Sequence, residues 1–285
     1  MSEVIIADLF QIQERYVRSV NLKRDFEDAS SLQGYDVTPQ LRQMLERLQG
    51  GLETHSTQRA WRITGDYGSG KSSFALLLAN LFSERRTQLP AKLLMELKPK
   101  QDPRLLPILV TGTREPLAVC LLRAIARGLH GLRTTGPTPH VLIGIEDLLA
   151  TSAGREIDSK DVVGAIEAAG DYVARTGKSS GLLIILDELG KPLEFSALHP
   201  ERQDVYLLQA LAESAARSGQ RPIYVIGLLH QGFSVYAESL SQSAQREWEK
   251  VAGRFDELIF SQHLDQVSQL ISEALKISTR NFRLS

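Results

Sequence analysis

From Gly65 to Ser72 the chain reads GDYGSGKS, where Gly65, four intervening residues and then Gly70, Lys71 and Ser72 follow the spacing G-x-x-x-x-G-K-[ST]. Glycines let successive backbone N–H groups turn inward around a phosphate, and the positive end of a following helix points at the same anion. Lys71 can reach the terminal phosphates as a mobile charge, and Ser72 can offer its hydroxyl to a magnesium ion. Asp66, Tyr67, Gly68, Ser69 and Ser73 complete the candidate cradle.

A second candidate group closes the run GLLIILDEL, in which the aliphatic residues Leu182 to Leu186 lead directly into Asp187 and Glu188. A strand buried on both faces of a parallel sheet reads as an unbroken apolar run, and its carboxyl end faces the ligand crevice. Two carboxylates at that end need a cation or a donor. Asp187, with Ser72, would hold magnesium through its water shell, and Glu188 would polarise an attacking water as general base. An acidic turn after a core strand is the plain structural alternative. Lys191, just beyond, reads as a solvated charge in a turn made by Gly190-Lys191-Pro192.

The flanking patterns supply elements to position these groups. Ala60 to Thr64 reads as a short strand with Trp61 and Ile63 on one face, and Phe74, Leu77, Leu78 and Leu81 follow at helical spacing. Upstream, residues 1–57 form an N-terminal arm, partly helical, ending in a helix that starts at Thr38-Pro39, carries Leu41, Met44, Leu45 and Leu48, and covers the sheet edge or the base pocket. Lys92 to Arg104 suits a surface connection. LPILVT (Leu106–Thr111) reads as a buried strand and Pro116 opens a helix, so strands and helices alternate as in a parallel sheet covered on both faces. Residues 133–178 hold two helical pieces and read as a helical insertion, or a long crossover before the next strand, within a core spanning 58–262.

A helix over Glu201 to Arg217 precedes the strand PIYVIGLL, and His230 lies at that strand's carboxyl end. An uncharged imidazole there can donate one hydrogen bond and accept another, so it can sense a terminal phosphate, orient a water, or simply cap the strand. A polar helix from Ser241, the turn Gly253-Arg254-Phe255-Asp256 and a last short strand LIF follow. Asp265 then caps a closing helix with Val267, Leu270, Ile271, Ala274 and Leu275 on one face, the start of a helical lid over 263–285.

Composition bounds the function classes. The 285 residues carry a formal net charge of −1, with 42% hydrophobic and 24% charged residues, as in ordinary globular proteins. Balanced charge gives no global case for nucleic acid or an anionic membrane. The start MSEVIIADLF lacks a basic n-region, and no apolar run approaches the roughly eighteen residues that span a bilayer. The single cysteine, Cys120, sits among Leu117, Leu121 and Ile125 as a buried small hydrophobe, so a reducing cytoplasm is the expected compartment.

Taken together, GDYGSGKS, LLIILDE, the polar residue at His230 and GRFDELIF resemble the AAA+ and related STAND branch of P-loop ATPases. The resemblance implies an α/β P-loop NTPase with a five-stranded, mostly parallel sheet sandwiched by helices, using ATP and Mg2+. It puts His230 at the family's sensor position and Arg254, or else Arg246, at the position of an arginine that completes a neighbour's site. The alternative for Arg254 is a structural ion pair with Asp256 or Glu257. The implied assembly is a homo-oligomer with shared sites and further protein partners. His replaces the usual Asn or Thr sensor, and no aromatic pore-loop motif follows LPILVTG, which counts against polypeptide threading. GYDVTPQ, GDYGSGKSSF and Trp248 before GRF also look like ATPases of bacterial anti-phage defence operons.

Three functions fit: a magnesium-dependent oligomeric ATPase, a slow nucleotide-gated switch or scaffold that recruits partners, and a nucleic-acid motor or loader that rests on the family alone. ATP rather than GTP is inferred from the resemblance and from the lack of an N-K-x-D run.

Overall fold

The computed structural model describes residues 10–12, 19–28, 30–132, 137–152, 156–200, 204–261, 268, 272 and 275–277. Its centre is a sheet of strands β1 (Ala60–Thr64), β2 (Leu106–Thr111), β3 (Leu182–Asp187), β4 (Ile223–Leu229) and β5 (Asp256–Ile259). They lie in the order β2-β3-β4-β1-β5, and every pairing is parallel, where mostly parallel was expected. Strand β4 therefore separates β1, which carries the phosphate loop, from β3, which carries the acid pair.

Helices α1 (Leu22–Glu27), α2 (Pro39–Gly50), α3 (Lys71–Leu81), α4 (Ala91–Leu97), α5 (Leu117–Leu132), α6 (His140–Thr151), α7 (Ser159–Thr176), α8 (Gly190–Leu198), α9 (Asp204–Arg217), α10 (Phe233–Tyr236) and α11 (Gln242–Ala252) surround the sheet. All of β3 is buried, and its residues alternate between two cores. Leu182, Ile184 and Leu186 join side chains of α5, α7 and α9 on one face. Leu183 and Ile185 join those of α2 and α3 on the other. An all-aliphatic strand is what two dry faces demand.

Helix α2 starts where Thr38 accepts a hydrogen bond from Leu41 N–H at 3.2 Å, with Pro39 in the first turn. It closes the sheet edge: Gln40 donates to Ile259 O and Arg47 to Glu257 O, both at 3.2 Å, covering carbonyls of the edge strand β5. Arg59, fully buried just before β1, has its guanidinium surrounded by neutral acceptors. It donates to Gly51 O, Glu53 O, Thr54 O, Gly219 O and Ser218 Oγ at 2.7–3.3 Å, so one cation ties the entries of β1 and β4.

Four local expectations change. The stretch from Lys92 contains α4, because Leu93 and Leu97 bury one helical face before Lys98 ends it in a left-handed conformation. Gly190-Lys191-Pro192 opens α8 rather than making a turn, since a proline in the first helical turn lacks only an N–H that needs no helical acceptor. The last sheet strand begins at Asp256, two residues before LIF, since Asp256 and Glu257 already pair with Trp61 and Arg62. Leu275 lies in a strand, Leu275–Ile277, paired antiparallel with Phe10–Ile12 of the N-terminal arm, so each segment supplies the other's backbone partners. The remaining positions assigned to the closing helix, Asp265, Val267, Leu270, Ile271 and Ala274, lie outside the described residues.

Candidate functional site

The phosphate loop leaves β1 under tight constraint. Gly65 N–H donates to Leu229 O at 3.2 Å, and a Cβ at Gly65 would meet Phe260 O at 2.3 Å. The first motif glycine is therefore required by the backbone following β5. Gly68 and Gly70 have φ of +73° and +100°, the left-handed conformations that turn the loop back onto α3. Gly70 is the N-cap of α3, and no side chain among the described residues caps it, so the first amides of this eleven-residue helix remain available to an anion.

Lys71 is 5% exposed, and its Nζ donates to Gly65 O at 2.5 Å and Asp66 O at 2.6 Å, with Ser69 Oγ at 3.4 Å. Burial lowers its pKa, opposed by the carboxylates of Asp187 and Asp66. Asp66, Tyr67 and Gly68 form the exposed lip of the loop, while Ser69, Ser72 and Ser73 are half-buried.

The acid pair stands across β4 from this loop. Ser72 Oγ donates to Asp187 Oδ1 at 3.2 Å, and Glu188 N–H donates to the same oxygen at 2.9 Å. Burial pushes the Asp187 carboxyl above its usual range, with these two hydrogen bonds pulling it back. A hydroxyl and a dry carboxylate within one hydrogen-bond length are hard oxygen donors that fit magnesium. That ion takes few protein ligands and draws the rest from water and phosphate. Among the described residues no group of three or more His, Cys, Asp or Glu forms a protein-only metal cage.

Glu188 has a φ of +53°, a conformation that costs a non-glycine residue about 1–2 kcal/mol. Its carboxylate pairs with Lys191 Nζ at 2.5 Å. Lys191, read from the sequence as a solvated charge, is thus the cation that holds the candidate base, and that bond raises the lysine's pKa.

His230 follows β4, so the strand order brings it between the loop and the acid pair. Burial, then the neighbouring Lys71 ammonium, lowers its pKa, while Glu188 acts the other way. Its ring stacks on Tyr67 with centroids 3.5 Å apart and planes 13° from parallel. Sequence reading counted Tyr67 as a loop residue only, because a contact between the ends of β1 and β4 depends on a strand order that no local pattern encodes.

Arg254 is not in this cluster. It pairs with Glu213 of α9 at 3.3 Å, rather than with Asp256 or Glu257, because α9 and α11 pack side by side at the entry to β5. Glu257 pairs instead with Arg62 at 3.0 Å. Arg254 sits in the turn before Asp256, which pairs with Trp61 at the start of β1, whereas the phosphate loop leaves the far end of that strand, so Arg254 lies at the opposite end of the sheet from the subunit's own loop. Arg246 is exposed on α11.

No helix among the described residues is long and apolar enough to cross a membrane. No protein-family model and no curated protein matches the chain. Four solved chains match it. One is the Aeropyrum pernix ORC2 protein, determined as ADPNP–ADP complexes, at 16% identity and a TM-score of 0.46. The match covers 94% of this chain and 58% of that one, so the present chain spans little more than half the length of the protein it resembles.

Proposed function

We propose that the protein is an AAA+-like ATPase that binds Mg·ATP between the phosphate loop and the end of β3 and hydrolyses it. The observation that carries this reading is the 3.2 Å contact between Ser72 and Asp187, which joins the two motifs across an intervening strand. The amides at the start of α3 and the Lys71 ammonium bind the phosphates, and Ser72 and Asp187 hold the metal. Magnesium would supply charge neutralisation at the transferring phosphoryl group. Glu188 accepts the proton of the attacking water, and His230 contacts the terminal phosphate or that water. Arg254, too distant from its own loop, acts on a neighbouring copy, which makes the active form a homo-oligomer.

A slow nucleotide-gated switch that recruits partners is the second reading, favoured by the Glu188–Lys191 pair, since a carboxylate held on that ammonium must leave it before it can reach a water. An anti-phage setting is carried by the sequence motifs alone. The deciding experiment titrates the chain with a fluorescent ATP analogue, with and without Mg2+, and follows phosphate release. Magnesium-dependent binding that Lys71→Met abolishes is the expected result, and Glu188→Gln should bind but not turn over. Wild-type protein that binds no nucleotide at any magnesium concentration rules out both readings.

A further inference from the structure

Most imidazoles with a task are aimed by a hydrogen bond at one ring nitrogen, which fixes both tautomer and ring direction. His230 lacks that device: its Nδ1 is buried and has no hydrogen-bond partner among the described residues. What touches the ring is the face of Tyr67, nearly parallel at 3.5 Å. Tyr67 is itself 78% exposed, so burial does little to order it, and the contact with His230 is what its ring has to pack on. We propose that Tyr67 is a positioning residue: its ring sets the plane of His230, and through it the imidazole reports the state of the phosphate loop.

The backbone gives this contact a direction. Tyr67 follows Gly65 and Asp66, whose carbonyls accept from the Lys71 ammonium, and precedes Gly68 in its left-handed turn. The group that would meet a phosphate therefore also sets the peptide units that aim Tyr67. When Lys71 turns from those carbonyls to a phosphate, the segment carrying the phenol is released and the stack changes. Around His230 the charged groups are Lys71 on the loop side and Glu188 and Lys191 on the β3–α8 side. The Tyr236 phenol faces the backbone of His230 and Gln231, so the main chain of the imidazole has its own neighbour while its ring depends on Tyr67.

This inference rests on the function proposed above, and its primary readout does not. In the full chain, the His230 ring protons, assigned by their loss in His230→Asn, should resonate upfield through the ring current of Tyr67. Tyr67→Phe should keep that shift and Tyr67→Leu should abolish it. A nonhydrolysable ATP analogue with Mg2+ should move the His230 resonances in wild type and leave them still in Tyr67→Leu. Turnover in Tyr67→Leu and in His230→Ala should fall about tenfold, the kinetic equivalent of one lost hydrogen bond. The double variant should be no worse than either, with KM little changed. His230 resonances unmoved by Tyr67→Leu, or losses that multiply in the double variant, overturn the proposal. A wild type that binds no nucleotide sinks the ATPase reading, while the ring-current comparison still decides whether Tyr67 stacks on His230.

Discussion

Asp187→Asn should separate stability from ligand binding. Asp187 is 7% exposed and its carboxyl is held above its usual range by burial, so the anion is a burden on the fold without a cation. Because the folded pKa is raised, the favourable contribution is complete below the unfolded value of about 3.9 and is lost as pH rises through the folded value. Asparagine has nearly the same shape, and its Oδ1 can accept the same bonds from Ser72 and Glu188 N–H. At pH 7.5 the variant without ligand should therefore be neutral or more stable. Wild type with Mg·nucleotide at a hundred times its dissociation constant should gain about 2.7 kcal/mol. At about 2–4 °C per kcal/mol, that is a rise of about 5–10 °C in Tm. The variant should lose the magnesium-dependent part of this rise. Thermal unfolding followed by circular dichroism, in four conditions crossing Mg2+ with ADP, reads all of it. A ligand-free variant several degrees less stable than wild type, or a full magnesium-dependent rise in the variant, refutes the role given to Asp187.

Arg59→Met should cost about 3–5 kcal/mol and about 10 °C in Tm, since it strands the buried acceptors around the guanidinium; a calorimetric Tm within about 2 °C of wild type would show that they find other donors. Glu188→Gly should stop turnover yet raise stability by up to about 1 kcal/mol by relieving its positive φ, whereas Glu188→Gln should leave stability unmoved. A Gly variant less stable than the Gln variant in urea melts would contradict the strain. ATPase activity per subunit should climb with protein concentration, and Arg254→Ala should lower it by about 10³ while nucleotide binding persists. Loss of the exposed Glu213 pair explains no such effect, being worth under about 1 kcal/mol. Wild-type turnover in Arg254→Ala would exclude a shared site.

What the sequence makes legible depends on the range of the interaction. The phosphate loop is local chemistry, with glycines, a lysine and a hydroxyl within eight residues, and its glycine conformations follow from that spacing. The aliphatic run of β3 is equally readable, because being buried on both faces leaves no room for a polar residue until Asp187. Pairings between distant segments are not. Nothing around Tyr67 points to His230, nothing around Arg254 points to Glu213, and the requirement for glycine at position 65 comes from a carbonyl at Phe260. Leu275 reads as helical because it continues the 3.6-residue period of Val267, Leu270, Ile271 and Ala274, yet its strand pairs with an arm more than 260 residues away.

The order β2-β3-β4-β1-β5 also bears on how the molecule comes into being. The strand bearing the phosphate loop has both neighbours, Ile223–Leu229 and Asp256–Ile259, far downstream. During synthesis it leaves the ribosome long before either can pair with it, with Trp61 and Ile63 exposed in the meantime. Such high contact order slows folding and invites aggregation of partly made chains. Polypeptides truncated before β4 should fail to bind nucleotide even though they contain the whole GDYGSGKS motif.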